Sequence, residues 1–297
     1  MRISAFTLRS FDRDQPPMSV RKRVVSIPWI ILALFISSCG ISTDQSTGNE
    51  SARADVGEVR VITSGGFTAA YNMLAPQFEQ ATGVRLVTSY GASSGGAPDS
   101  IPSRLARGEA ADIIILSRSS LDRLTASGEV VPESRVDLVR SSIGLAVRAG
   151  APAPDISTEE SFVAAMLAAE SIGYSASASG TYLSTELFPR LGIWEKVEAK
   201  SKRIVSERVA TVVARGEVQI GFQQISEILP IEGIDYVGPI PSAVQKVTTF
   251  SAGITTRAEN PKDAQALIDY LSSPEVAGTI TDTGLEPVVL EEAQDRS

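Results

Sequence analysis

The fold is decided by the stretch VRVITSGGF, residues 59–67, in which a strand-forming run leads into a Ser-Gly-Gly turn and then a helix. The same order returns in VRLVTSYGASSGG, residues 84–96, and a third Ser/Gly turn, SASASG, occupies residues 175–180. The start of a helix leaves backbone N–H groups free and carries a partial positive charge. Gly and Ser let a ligand approach that backbone closely. Repeated turns of this kind predict a binding site for a small anion.

Strands and helices alternate from residue 59 onward, which predicts an α/β fold. The chain has 297 residues, of which 43% are hydrophobic and 21% are charged, an ordinary balance for a globular protein. The run DIIIL, residues 112–116, has the length of a strand and is apolar after its first residue. Continuous apolar strands joined by helices indicate a parallel sheet that is covered on both faces.

Charge and residue usage exclude several classes of function. The net charge is −8, and residues 1–38 hold six Lys/Arg and two Asp/Glu, so the remainder carries 21 basic and 33 acidic side chains, or −12. This strongly negative charge outside residues 1–38 argues against a nucleic-acid partner. The chain has no His and a single Cys, which excludes an imidazole base, an internal disulfide and a multi-cysteine metal site. We expect no metal and no cofactor, and any catalysis must depend on Asp, Glu, Lys, Arg, Tyr or Ser.

The N-terminal segment has the features of an export signal. Residues 1–38 place a basic cluster, Arg21–Arg23, before an apolar run that ends in Ser-Ser ahead of Cys39. This ending resembles the bacterial lipoprotein signal and predicts lipidation of Cys39 and a membrane-anchored protein on the periplasmic side; a plain signal anchor is the alternative. Residues 39–57 are then a flexible tether. Met18 is an alternative start to Met1.

Six motifs in order resemble the periplasmic molybdate-binding proteins, the type II periplasmic binding proteins that serve ABC transporters. The resemblance implies two α/β lobes around a cleft, each a mixed, mostly parallel sheet flanked by helices. It places lobe one at residues 58–140 plus 250–297 and lobe two at residues 141–249. The motifs are SGGF (64–67), GASS (91–94), AADI (110–113), residues 175–182, Arg208-Val209 and GFQQ (221–224).

The resemblance also implies a site, from which this sequence departs at two positions. Gly66 stands where the molybdate receptors place a serine hydroxyl, and Gln223 or Gln224 stands where they place a tyrosine. Arg208 either pairs with Glu207 or binds the ligand, and Arg is the natural bidentate partner of a planar carboxylate. We therefore expect a di- or tricarboxylate more than molybdate. The predicted ligand-binding residues are Ser64, Gly65, Gly66, Ser93, Ser94, Ser179, Arg208, Val209, Gln223 and Gln224, of which Ser93 and Ser94 are alternatively helix caps.

A second resemblance is to a branch of this fold that includes bacterial aconitate isomerase, and it is carried by SGGF (64–67), IPSRLARG (101–108), residues 174–191, ERV (207–209) and GFQQ (221–224). Two functions stay open. The preferred one is a monomeric, lipid-anchored receptor that delivers a small anion to an ABC permease, because binding proteins outnumber enzymes in this fold and no catalytic constellation is visible. The alternative is a cofactor-free isomerase of cis- and trans-aconitate, whose base would be Glu207, Glu227 or Tyr182.

Overall fold

The computed structural model describes residues 57–94 and 96–288. The predicted signal peptide (1–38), the lipidation site Cys39, the tether apart from Gly57 and the end of the predicted first lobe (289–297) lie outside the described residues. None of the helices in the described ranges combines the length and apolar character that crossing a bilayer requires.

The first sheet has six strands: β1 (Glu58–Ser64), β2 (Arg85–Gly91), β3 (Ile113–Ser117), β4 (Val136–Ser141), β10 (Thr248–Ile254) and β11 (Glu286–Pro287). They lie in the order β11-β4-β10-β3-β1-β2. Strand β1 pairs in parallel with β2 and β3, whereas β10, β4 and β11 are joined by antiparallel pairings. The helices of this part are α1 (Gly65–Thr82), α2 (Ile101–Ala106), α3 (Arg118–Ala126), α10 (Pro261–Leu271) and α11 (Ala277–Asp282).

Both faces of this sheet are buried, as the apolar strands predict. Ile113 and Ile115 face the core formed with α1, α10 and α11, while Ile114 faces the core formed with α2 and α3. All three side chains are fully buried, and each contributes about 1.5–3 kcal/mol of hydrophobic free energy. The central strands are therefore rigid supports for the turns at their ends.

The second sheet has five strands: β5 (Ile143–Arg148), β6 (Ile172–Ser175), β7 (Ser201–Ile204), β8 (Ile220–Gln224) and β9 (Ile234–Pro239). They lie in the order β7-β6-β8-β5-β9. Phe162, Phe188 and Phe222 form an aromatic cluster against this sheet, with ring centroids 5.9–6.5 Å apart. Its helices are α4 (Glu159–Ala168), α5 (Ala178–Tyr182), α6 (Phe188–Arg190), α7 (Trp194–Val197), α8 (Val209–Ala214) and α9 (Ile225–Ile228), and a π-helical turn, Leu183–Leu187, joins α5 to α6.

The chain crosses between the sheets twice. It leaves the first sheet at Ser142, between β4 and β5, and returns through residues 240–247, between β9 and β10. At their carboxyl ends, the parallel strands of both sheets lead directly into the Ser/Gly turns or into the following helices. Open α/β sheets bind ligands at this edge.

The fold is the expected α/β arrangement of two mixed sheets flanked by helices, with two corrections. Fewer strand pairs are parallel than expected, four of nine in the described residues, because the strands next to the crossings run antiparallel. The first helix begins at Gly65 rather than after the Ser-Gly-Gly turn, so both glycines belong to its first turn.

Candidate functional site

A cavity of about 470 Å³ lies at the carboxyl ends of the parallel strands of both sheets. Its walls include the last residues of β1, β2, β6, β7 and β8 and the three Ser/Gly turns. We call it the cleft. Eight of the ten predicted ligand-binding residues line it: Ser64, Gly65, Gly66, Ser93, Ser179, Arg208, Gln223 and Gln224.

Glu227 is the titratable group that the cleft environment changes most clearly. It lies on α9, directly after β8, and its carboxyl accepts a hydrogen bond from Gln223 Nε2 at 3.0 Å. Burial raises the pKa of Glu227 to about 7, against smaller lowering effects of Arg208, Gln223 and the Gln224 backbone. A carboxyl group with this pKa is half ionised near neutral pH and can both accept and return a proton.

The two glycines at the start of α1 make room for protein side chains. A methyl group on Gly65 would lie 2.9 Å from the carboxyl carbon of Glu227 and would overlap one of its oxygens. A methyl group on Gly66 would lie 2.6 Å from two ring carbons of Phe250. The space next to Gly66, predicted to hold a ligand, is therefore filled by the Phe250 ring. This ring also leaves no room for the serine that the molybdate receptors are expected to carry there.

Ser64 is the clearest unused donor in the cleft. It precedes α1, is 1% exposed, and its Oγ has no hydrogen-bond partner among the described residues. The hydroxyl does not cap α1, an 18-residue helix whose first turn lines the cleft. A buried hydroxyl without a partner costs about 1–3 kcal/mol, so a bound anion that accepts from Ser64 would recover part of that energy.

Arg208 supplies a positive charge on the opposite wall, just before α8. It makes no ion pair within the described part of the chain, because Glu207 pairs with Arg215 at 2.9 Å instead. The expected ligand-binding N–H of Val209 is not available, since it donates to Gln223 Oε1 at 2.8 Å. This bond fixes the amide of Gln223 so that its NH2 group faces Glu227. Val209 thus supports the site through Gln223, which corrects its predicted role.

Gln224 lines the cleft, but its amide is bonded to the crossing segments. With the amide oxygen accepting from Thr248 Oγ1 at 3.1 Å, the amide nitrogen donates to Ser141 Oγ at 2.8 Å. Ser141 ends the strand before the first crossing, and Thr248 follows the second. Of the two adjacent glutamines, Gln223 orders the cleft carboxyl and Gln224 ties the two crossings together.

The serines of the second and third turns have divided roles. Ser93 Oγ accepts from the Ser117 backbone N–H at 3.0 Å, and Ser179 Oγ shares a 3.2 Å hydrogen bond with Ser175 Oγ. Ser94 does not line the cleft but a neighbouring cavity, which is a correction to its prediction as a cleft residue. Neither serine of the second turn caps the next helix, because Ser100 is the N-cap of α2.

Two of the three candidate bases are excluded by their contacts. Hydrogen bonds from Arg215 lower the pKa of Glu207, which lies exposed at the edge of the cleft and stays ionised. Tyr182 lies outside the cleft lining, and its hydroxyl donates to the Val244 carbonyl at 2.8 Å. Glu227 is the candidate that remains.

Sequence reasoning missed three polar residues of the cleft. Tyr90 is the second-last residue of β2 and donates to Asn72 Oδ1 at 2.7 Å, and both side chains line the cavity. Asp99 places a buried carboxylate oxygen there without a partner in the described residues. The position of Tyr90 near the end of β2 could have identified it from the sequence as a cleft residue. Asn72 and Asp99 carry no such local signal and reach the cleft only through the tertiary fold.

The polar groups of the cleft can bind an acid and move a proton. Within residues 57–94 and 96–288, no three acidic side chains lie close enough to hold a metal ion. Arg208 and Ser64 can hold carboxylates, and Glu227 can exchange a proton with a carbon acid between them. This combination suits chemistry on a small polycarboxylate.

Comparison with known proteins agrees with this architecture. The sequence profile of the family described as bacterial extracellular solute-binding protein matches residues 59–286. Aconitate isomerase from Pseudomonas sp. is 46% identical over 237 residues, which cover 80% of this chain and 90% of that protein. Molybdate-binding protein ModA of Azotobacter vinelandii is 25% identical over 236 residues, covering 76% of this chain and 89% of that protein.

Solved structures share the fold. The Azotobacter vinelandii periplasmic molybdate-binding protein superposes with a TM-score of 0.58 at 19% identity, over 76% of this chain and 98% of that one. The sulfate-binding protein SubI from Mycobacterium tuberculosis superposes with a TM-score of 0.62 at 19% identity, over 78% of this chain and 87% of that one. At these identities the similarity concerns the fold alone.

Proposed function

The chain belongs to the bacterial extracellular solute-binding protein family, and from that premise we propose that it is a cofactor-free isomerase that interconverts cis- and trans-aconitate. The observation that carries the proposal is Glu227, a half-buried carboxyl in the cleft whose pKa is raised to about 7 and which interacts with the charge of Arg208. The 46% identity to an aconitate isomerase, over 90% of that protein, supports the same activity. The proposal reverses the order of the two functions that the sequence left open.

The reaction needs one group that takes a proton and gives it back. Aconitate carries a methylene group next to one carboxylate and next to the carbon–carbon double bond. Removal of a methylene proton by the Glu227 carboxylate leaves an electron pair delocalised over three carbons and the adjoining carboxylates. Return of the proton to the other end of this system moves the double bond and allows its geometry to change. One proton leaves and one returns, so the substrate is neither oxidised nor reduced.

The remaining cleft residues hold the substrate and its developing charge. Arg208 offers two parallel N–H groups to one carboxylate. Ser64 and the N-terminal turn of α1 line the opposite wall of the cleft and favour negative charge there. Gln223 keeps the Glu227 carboxyl in place through the bonds described above. We assign the two sheets to lobes that contact opposite ends of the substrate.

A receptor function is the second candidate, and family membership favours it. In this case the lobes would close on a small anion and present it to a permease, because the ligand binds both lobes better when they are closed. The same carboxylate-binding groups would serve, and Glu227 would then limit binding at high pH through its negative charge.

We further propose export and anchoring through a lipid on Cys39, with residues 39–57 as the tether and the folded part acting as a monomer. Expression of the full chain and of Cys39→Ala in a Gram-negative host tests the anchor. The wild-type protein is expected in the membrane fraction and the variant in the soluble fraction. An identical distribution of the two proteins would refute lipidation.

Turnover and binding distinguish enzyme from receptor. The protein is mixed with trans-aconitate and followed by proton NMR, while calorimetry measures binding of trans-aconitate, molybdate and sulfate. The isomerase predicts that cis-aconitate forms and that Arg208→Ala weakens aconitate binding. Binding of any of these anions without conversion of aconitate would reject the isomerase and leave the receptor.

A further inference from the structure

A second cavity of about 700 Å³ lies beside the cleft and is not used by the proposed reaction. It is bounded by the start of α3, by α5 and by residues 246–249, where the second crossing enters β10. Ala178 lines both cavities, and Ser93 and Ser94, which are adjacent in the chain, line one each. The second cavity therefore contacts both sheets and one of the segments that join them.

Its wall contains a buried hydroxyl that is bonded to nothing. Ser117 is 2% exposed and lines the second cavity, and its Oγ has no hydrogen-bond partner in the described residues. Ser117 occupies the N-cap position of α3, but its hydroxyl does not cap the helix. The backbone N–H of Ser117 donates to Ser93 Oγ. The nine-residue helix has no acidic residue in its first turn. Both the hydroxyl and the helix start are suited to an anion.

Among the charged side chains that line this cavity, one basic side chain forms no ion pair within the described residues. Arg118 pairs with Asp137 at 2.9 Å, and Lys246 pairs with Glu186 at 2.8 Å. The acidic Asp122 pairs with Arg135, which does not line the cavity. Arg123 donates to Ser120 Oγ at 2.7 Å and makes no ion pair within the described residues. The lining also includes the hydroxyl-bearing residues Ser94, Ser119, Thr181, Thr248 and Thr249.

We propose that the second cavity binds a small phosphate-bearing anion, held by Ser117 Oγ, the start of α3 and Arg123. Hydroxyl, backbone N–H and guanidinium donors that line one cavity match the several oxygens of a tetrahedral phosphate. The volume exceeds that of the cleft and leaves room for an organic group on the phosphate. The ligand would contact α3, α5 and the crossing together.

Calorimetry with inorganic phosphate and with glycerol 3-phosphate tests this site. Each probe is titrated into the wild-type protein with the cleft empty and with the cleft saturated by trans-aconitate. One probe molecule is expected to bind per chain in both cases. Tighter binding of glycerol 3-phosphate identifies a phosphate ester as the ligand, and equal binding identifies the inorganic ion. Competition by aconitate, or no binding of either probe, overturns the proposal.

Three variants locate the binding. Arg123→Gln and Ser117→Ala are each expected to weaken phosphate binding about tenfold, since each removes one donor to a charged group. Arg208→Ala, in the cleft, should leave phosphate binding unchanged. Ser117→Ala should melt at or above the wild-type temperature without ligand, because it removes an unpartnered buried hydroxyl. Wild-type affinity in both Arg123→Gln and Ser117→Ala overturns the proposal, and aconitate conversion is not needed for any of these readings.

Discussion

Gly65→Ala is expected to disable the isomerase without unfolding it. The added methyl carbon would lie 2.9 Å from the carboxyl carbon of Glu227. Relaxed contacts between carbon atoms are about 3.5–4.0 Å long, and the methyl group also overlaps one carboxyl oxygen, so the carboxyl group has to move by at least about 1 Å. This movement also strains its 3.0 Å hydrogen bond from Gln223. A displacement of about 1 Å at a reacting group can lower the rate about 100-fold, and we expect this loss in kcat with a smaller change in KM.

The assay is the conversion of trans-aconitate, followed by absorbance, together with the melting temperature of the free protein. Gly278→Ala is the matched control. It lies in the short helix α11, where an added methyl group meets no atom within 4 Å. Removing an exposed helical glycine should stabilise the fold by roughly 0.5–1 kcal/mol and leave kcat unchanged.

The reasoning is refuted if Gly65→Ala keeps the kcat of Gly278→Ala while its fold is intact. It is also refuted if the rate falls because the protein unfolds, since the displaced group is a side chain and not backbone. A pH profile separates these outcomes from the predicted one. When the Glu227 carboxyl is pushed out of its buried position, the pKa that governs kcat/KM should fall from about 7 toward the ordinary value of a carboxyl.

Three further predictions concern the same site. The raised pKa of Glu227 destabilises the folded state only when the carboxyl is ionised, so this destabilisation is absent below about pH 4.5, grows between about pH 4.5 and 7 and is complete above pH 7. Glu227→Gln should therefore be more stable than wild type at pH 8, by at most about 3 kcal/mol, and equally stable at pH 4. A difference in the urea unfolding free energy that does not change with pH would contradict this prediction. Ser64→Ala should melt at or above the wild-type temperature yet bind aconitate about tenfold more weakly by calorimetry, and unchanged affinity would remove Ser64 from the site. Gln223→Leu removes a hydrogen-bond donor to Glu227 and the acceptor of the Val209 N–H. The pKa seen in the pH profile of kcat/KM should therefore rise, and the free energy of unfolding should fall by about 1–3 kcal/mol. A pH profile identical to that of wild type would show that Gln223 does not influence the pKa of Glu227.

The sequence predicted which residues line the cleft better than the contacts that those residues make. Strand ends followed by Ser/Gly turns are local features, and the parallel strands bring Ser64 and Ser179 to one cavity. Arg208 was found in the same way, as a residue at a helix start. The alternation of apolar strands and helices was sufficient for the α/β class because it reflects burial on both faces of each sheet.

The structural role of Gly65 and Gly66 could not be predicted from the sequence. Gly65 and Gly66 were interpreted as room for a ligand, but the atoms they make room for come from Glu227 and Phe250, more than 160 residues away in sequence. The choice among Glu207, Glu227 and Tyr182 likewise depended on tertiary contacts. Only the fold shows that Arg215 holds the first, that burial raises the pKa of the second and that the third donates to a backbone carbonyl.

The central claim is that Glu227 moves the proton in a cofactor-free isomerisation. The measurement that tests it most directly is the proton NMR time course of trans-aconitate with wild-type protein, Glu227→Gln and Glu207→Gln. Glu207→Gln is the control, because it removes a second cleft carboxyl that stays ionised in its pair with Arg215. The account predicts conversion by wild type and Glu207→Gln, and a rate at least about 100-fold lower for Glu227→Gln with aconitate binding retained. Equal rates for the two variants, or no conversion by the wild-type protein, would contradict it.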